Sequence, residues 1–224
     1  LVRIEAGGTV TINGVITANA NTTGTLRGGG SGGGIWISCT TFAATNGSLL
    51  AIGGNCGFPV GNFGGGGGGG RIALHYNALA QPVSVAIKAS RGALAGGGYL
   101  GDIGTIYLPD SQLFSENITS NNFEGQIFGP TSWSPNHLAL SNTWIRFAQE
   151  GFILAVSNDL TIRGSSARLE LGGATLMPRS RGGYLIYSHD MDGSGAYMFG
   201  RCLNSTSSIA LTCGGNLVLT NGGV

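Results

Sequence analysis

Charge is what this sequence lacks most. Asp, Glu, Lys and Arg make up 9% of its 224 residues and balance to a net charge of +1, where a soluble domain usually carries about a quarter charged residues. A nucleic-acid groove needs clustered Lys and Arg to displace counterions, and a coiled coil needs charged flanks along its seam. This composition supplies neither, and a net charge near zero gives no pull toward an anionic membrane. Proline is scarce, at 6. Glycine is abundant, at 43, but comes in blocks rather than at every third position, which excludes a collagen triple helix. No apolar run approaches the roughly 18 residues of a membrane-spanning helix, so no membrane span is expected.

What is present is a series of short apolar tokens. Val10-Thr11-Ile12, Ile35-Trp36-Ile37, Ile72-Ala73-Leu74, Thr105-Ile106-Tyr107-Leu108, Leu138-Ala139-Leu140, Leu160-Thr161-Ile162, Leu169-Glu170-Leu171 and Leu217-Val218-Leu219 are examples. Most alternate with period two between Gly, Asn or Ser, the pattern of short strands between turns. The only helix-like stretch, 143–150, contains a Trp-Ile-Arg-Phe alternation and is read as strand. The expected class is all-β.

Glycine blocks lead into strands three times: 28–34 before Ile35, 64–70 before Ile72 and 96–98 before Ile106, at spacings of about 34 to 37 residues. Periods of that size point to stacked repeats, because one strand unit cannot bury its own apolar face. The sequence predicts a parallel β-helix, a solenoid with ordered glycine-rich segments. It divides into a glycine-rich region, 1–108, and a continuing β-repeat region, 109–224, for which a β-sandwich is the alternative. An ordered block of seven glycines loses much backbone entropy and has no side chain to bury. The blocks are therefore expected to lie against one another or against a strand face, held by backbone hydrogen bonds.

The chain starts at Leu1-Val2-Arg3-Ile4 without a signal peptide and stops in a strand pattern, so both ends read as interrupted. Val2 and Ile4 at one end and Leu217 and Leu219 at the other are the expected assembly residues of a homopolymer joined through its terminal strands. The four cysteines fall into two close pairs, Cys39 with Cys56 and Cys202 with Cys213, at spacings that match no zinc site. Local disulfides are expected; four reduced, buried thiols are the alternative. Disulfides would place the protein outside a reducing cytosol. Asn21, Asn46, Asn117 and Asn204 head Asn-x-Ser/Thr sequons and are candidate N-glycan acceptors.

The phrases at 28–38, 46–54 and 65–74 resemble very large secreted or cell-surface microbial proteins built from glycine-rich β-helix repeats. The resemblance covers residues 26–108 and implies an extracellular or cell-surface scaffold or adhesive role. It implies no catalytic residues.

Enzymatic chemistry is tested against the same residues. Polysaccharide-degrading β-helices need clustered carboxylates, and the 10 acidic residues are scattered apart from Asp190 and Asp192. Asp190-Met191-Asp192-Gly193 resembles the start of a calcium loop, but Arg201 stands where an EF-hand places its bidentate Glu. Calcium is a candidate ligand at Asp190 and Asp192; no other cofactor, no catalytic set and no nucleic-acid partner is expected. His75 and His137 lie on strand tokens and are expected to complete hydrogen bonds at a sheet surface. Trp36, Trp133, Trp144, Tyr99, Tyr107, Tyr184, Tyr187 and Tyr197 cap a β core or stack on sugar rings. The expected function is a structural, non-enzymatic subunit or repeat of an extracellular, glycosylated filament. A glycan-binding adhesin module is the first alternative, and a polysaccharide-degrading enzyme the second.

Overall fold

The computed structural model describes residues 1–22, 28–56, 64–93, 100–171, 197–200, 210–213 and 215–220. Among these the chain is all-β without a helix, and every strand pair of described register is parallel. Two units separate: Leu1–Ser115 with Thr119–Pro130, and Glu116–Ile118 with Thr131–Val224.

The first unit holds β1 (Val2–Ile12), β2 (Val15–Thr17), β3 (Gly34–Ala44), β4 (Gly47–Leu50), β5 (Arg71–Leu79), β6 (Val85–Lys88) and β7 (Thr105–Tyr107); β8 (Asn117–Thr119) begins the second, and β9 (Phe123–Phe128) returns to the first. The chain makes repeated passes. The path β1-β3-β5-β7 takes one strand from each pass, long in β1, β3 and β5 and three residues in β7, and the path β2-β4-β6 takes a short strand from each of the first three. Val2 lies beside Ile35, Gly34 beside Arg71 and Arg71 beside Thr105. The sequence period near 35 residues is thus the length of one pass. β9 pairs β6 through Phe123 and Glu124 and β7 through Gln126, Ile127 and Phe128, so the two paths meet on one strand. Gly125 sits at that corner, where a Cβ would stand 2.6 Å from Ile106 Cδ1.

Alternation sets the core. Ile35, Ile37, Ile72, Leu74 and Ile106 on one path face Leu49 and Ile87 on the other, and all are at most 2% exposed. Burying a side chain of this size contributes about 1.5–3 kcal/mol. In β1 the residues Gly7 and Gly8 face the single residue Thr40, a β-bulge whose Gly7 carbonyl accepts a hydrogen bond from the Thr40 hydroxyl at 2.9 Å.

The glycine blocks are packed as expected. After the β2, β4 and β6 strands an outgoing segment leaves (18–22, 51–56, 89–93), and a return segment (28–33, 64–70, 100–104) leads into the next long strand. Return segments bond to each other in parallel: Gly29 N–H to Gly65 O at 2.8 Å and Gly32 N–H to Gly68 O at 3.0 Å. They bond to outgoing segments in the opposite sense: Gly67 N–H to Gly54 O at 2.9 Å and Gly70 N–H to Ala51 O at 2.7 Å. Partners recur every third residue, and the bonds run between segments, the habit of polyproline-II helices. The block 96–98 lies outside the described residues.

The second unit holds β8 and β10 (Ser132–Trp133), β11 (Leu138–Ser141), β12 (Trp144–Phe147), β13 (Ile153–Val156), β14 (Leu160–Arg163), β15 (Arg168–Leu171), β16 (Tyr197–Gly200), β17 (Ala210–Cys213) and β18 (Leu217–Thr220). Its strands run in three paths, β10-β13-β17, β8-β11-β14-β18 and β12-β15-β16. Spacing is uneven here: Leu138 lies beside Leu160 and Trp144 beside Arg168, shorter than in the first unit, whereas Leu160 lies beside Leu217 and Ile153 beside Ala210. Phe147 and Phe152 stack with ring centroids 4.2 Å apart in a core with Leu140, Leu154, Leu160 and Leu169. A β-sandwich is made of antiparallel strands; the parallel pairing of these strands overturns that alternative.

Candidate functional site

The uncovered end of the first unit is the most distinctive surface among the described residues. Among the described residues β1 pairs only with β3, and β2 only with β4, so each has one backbone edge without a described partner. Val2 and Ile4 project inward beside Ile35 and Ile37. They are half-buried, whereas Ile35 and Ile37 are 2% and 0% exposed. Val10 and Ile12 are each 8% exposed, while Phe42 beside Val10 is at 0%. Leu1 and Val15 stand out at 93% and 65% exposed. Gly14, Gly30 and Gly33 are exposed at the same end.

Asn side chains stitch one pass to the next. Asn13 Oδ1 accepts from Thr45 N–H at 2.9 Å, Asn19 Oδ1 from Ile52 N–H at 2.7 Å and Asn55 Oδ1 from Ala93 N–H at 2.7 Å. In the second unit Glu116 Oε1 accepts from Asn136 N–H at 2.6 Å, and Asn136 Oδ1 from Asn158 Nδ2–H at 2.7 Å. In each bond the acceptor lies one pass earlier, a role the sequence signals only by Asn recurring at turns.

At the opposite terminus Leu217 lies beside Leu160 and Leu219 beside Ile162 in backbone register, which places both on an outermost described strand. Asn21, Asn46 and Asn117 are exposed. Asn46 has φ of 55°, a conformation that Asn tolerates at turns, and its Oδ1 accepts from the Ser84 hydroxyl at 3.4 Å. Asn204, Asp190, Asp192 and Cys202 lie outside the described residues. Cys213 is placed only by its backbone, in β17 beside Val156.

The local disulfide expected between Cys39 and Cys56 is not formed. Cys39 points into the core from the middle of β3, while Cys56 closes the outgoing glycine segment, its N–H bonded to Ala93 O at 3.3 Å. Both are buried, and burial pushes the Cys39 thiol above its ordinary range despite an opposing backbone hydrogen bond at Val10.

Trp36, His75 and Tyr107 form a ladder on one outer strand face, with centroids 5.6 Å apart between Trp36 and His75 and 4.7 Å between His75 and Tyr107; the Arg3 guanidinium lies 4.9 Å from the Trp36 ring. His75 thus stacks between rings, which sequence reasoning missed. In the second unit Trp144 Nε1–H donates to Glu170 at 2.8 Å, Glu170 pairs with Arg146, and Arg168 lies 4.8 Å over the Trp144 ring. A third cluster joins Ser90 and Glu124: the buried Ser90 hydroxyl donates to Glu124 Oε2 at 2.8 Å. Burial pushes the Glu124 carboxyl above its ordinary range, opposed by the Ser90 hydrogen bond and the charges of Lys88 and Arg91. Tyr76 donates to Asp110 at 2.7 Å; burial first, then that hydrogen bond and charge, push its phenol up.

Among the described residues no group of three or more His, Cys, Asp and Glu could hold a metal ion, and no helix is long and apolar enough to cross a membrane. Comparison with protein-family models, with curated proteins and with solved structures finds no match to this chain.

Proposed function

We propose that this chain is a structural subunit or repeat of an extracellular, N-glycosylated fibre, a parallel β-solenoid that meets its neighbours end to end. The observation that carries this reading is the gradient of burial at the β1 end. The same inward positions that are sealed in β3 are partly open in β1, and the strand edge beside them is unpaired. An open edge over an open core is a template for association. The bulge at Gly7-Gly8 divides that edge and leaves Val2–Ala6 as the straight stretch nearest the exposed Leu1. Exposed Asn21, Asn46 and Asn117 are the acceptors available to glycans among the described residues.

Negative-stain microscopy of the natural material, with intact mass before and after deglycosylation, tests the reading. Uniform fibres that lose mass on deglycosylation are expected. The double variant Val2→Lys, Ile4→Lys places two charges at the open end, where long side chains still reach water, and should disperse fibres while the circular dichroism of the fold is retained. Fibres of unchanged length in the variant would show that assembly does not use this end.

A further inference from the structure

The outer aromatic ladder of the first unit differs from the other ring clusters in what its polar atoms do. Trp36 on β3 and Tyr107 on β7 share a row of outward positions, with Ala73 of β5 in register between them, and His75 enters from the next row beside Ser38. The rings follow one another along the stack, one per pass, at centroid separations of 5.6 and 4.7 Å. Elsewhere the hydrogen-bonding group of such a ring is taken up inside the chain. The Trp144 indole N–H donates to Glu170 at 2.8 Å and the Tyr76 phenol to Asp110 at 2.7 Å, and these residues are 8% and 6% exposed. In the ladder, by contrast, the Trp36 indole N–H, the His75 ring nitrogens and the Tyr107 hydroxyl have no hydrogen-bond partner among the described residues, and none of them is sealed from water. Trp36 and His75 are half-buried and Tyr107 is 37% exposed. Rigid rings with an apolar body and a free polar edge supply contact area at a low cost in side-chain entropy. The ladder lies on the side of the stack, on its second, third and fourth passes, and does not depend on what stands before β1.

We infer that this ladder binds a neutral, extended polysaccharide lying along the axis of the stack. Neighbouring strands stand about 4.7–4.9 Å apart, so a ligand that meets one ring per pass must repeat over a length comparable to one sugar unit of an extended chain. Gly34, Ser38 and Ala73 share the outward face with the rings. Such small neighbours suit a flat ligand, whereas a protein partner is held by a large anchor in a closed pocket. Charge on this face is nearly balanced. Arg3 and Glu5, in register with Trp36 and Ser38, pair with each other, and β5 carries Arg71 alone, a donor for hydroxyls. The rings are inclined to their neighbours at 46° and 30°, so mutual stacking does not close them, in keeping with their exposure. The C–H faces of a pyranose pack on such ring surfaces, while its hydroxyls meet the Trp36 N–H, the His75 nitrogens and the Tyr107 hydroxyl, a few polar groups that fix the orientation of a mostly apolar contact.

Isothermal titration calorimetry of the full chain with cellohexaose, laminarihexaose and chitohexaose tests the inference, with circular dichroism as the folding control. At least one of the three should bind. Trp36→Ala should weaken that binding roughly tenfold or more, the worth of one lost aromatic contact, and His75→Ala should weaken it as well. His137→Ala, which removes an exposed histidine of the second unit, should bind like wild type. Should Trp36→Ala not fold, Tyr107→Ala, at the more exposed end of the ladder, carries the same expectation. A wild-type chain that binds none of the three sugars overturns the inference, as does undiminished binding in the folded Trp36→Ala or Tyr107→Ala chain. Binding lost equally in His137→Ala would put the sugar elsewhere and overturn it too. Each of these results leaves the end-to-end fibre standing, because the ladder lies on the side of the stack.

Discussion

Replacing Gly67 with alanine should cost far more than the same change one residue later. A Cβ at 67 would lie 2.0 Å from Gly30 O, 2.6 Å from its carbonyl carbon and 2.9 Å from Gly29 O. All three are backbone atoms, so a whole segment must move. Gly67 donates to Gly54 O at 2.9 Å and accepts from Gly92 N–H at 2.8 Å. Displacement endangers both bonds in a buried place, and each polar group left without a partner costs about 1–3 kcal/mol. The expected loss for Gly67→Ala is about 3–5 kcal/mol, in the range of severe core defects. At Gly68 the nearest atoms are Asp102 O at 3.6 Å and Ser31 Oγ at 3.7 Å. Gly68→Ala should therefore be neutral or stabilising by about 0.4–1 kcal/mol through the unfolded state. Urea unfolding followed by circular dichroism measures both. Equal stabilities for the two variants would refute the account of the glycine segments as a stack with a three-residue period.

Three further outcomes are expected. Tyr76→Phe removes the phenol that holds Asp110 and should cost about 1.5–3 kcal/mol by urea unfolding, the range for a bond to a charged acceptor. Because burial raises the folded Glu124 carboxyl above its ordinary value of 4.5, the folded state holds that proton more tightly than the unfolded state. Glu124 should therefore reduce stability as pH rises from about 4 through its folded value. Glu124→Gln should flatten that slope and be more stable than wild type near neutral pH, with little difference in acid; urea midpoints across the range check it. Peptide mapping without reduction should recover Cys39 and Cys56 in separate peptides, and Cys39 should resist thiol reagents until the chain unfolds.

The strands were legible because alternation is a local property. Ile35-Trp36-Ile37 and Leu160-Thr161-Ile162 carry their period in three residues, and the structure puts strands at both. The near-35-residue spacing of the glycine blocks translated directly into one pass, since parallel neighbours must return to the same register. The cysteines misled for the converse reason. Seventeen residues of separation says nothing about whether two Cβ vectors meet, and Cys39 and Cys56 occupy different parts of the pass. His75 looked like a hydrogen-bonding surface residue, whereas Ala73, small and in register between Trp36 and Tyr107, leaves space for its ring.

By itself the sequence determined the class and the repeat: low charge, scarce proline and short alternating tokens leave little besides stacked strands, and ordered glycine can be stabilised only through its backbone. Tertiary structure decided which glycines are obligatory. Gly67 and Gly68 are indistinguishable in sequence, yet a Cβ on one would meet a carbonyl at 2.0 Å and on the other nothing nearer than the Asp102 carbonyl oxygen at 3.6 Å. That difference depends on what the neighbouring pass places there.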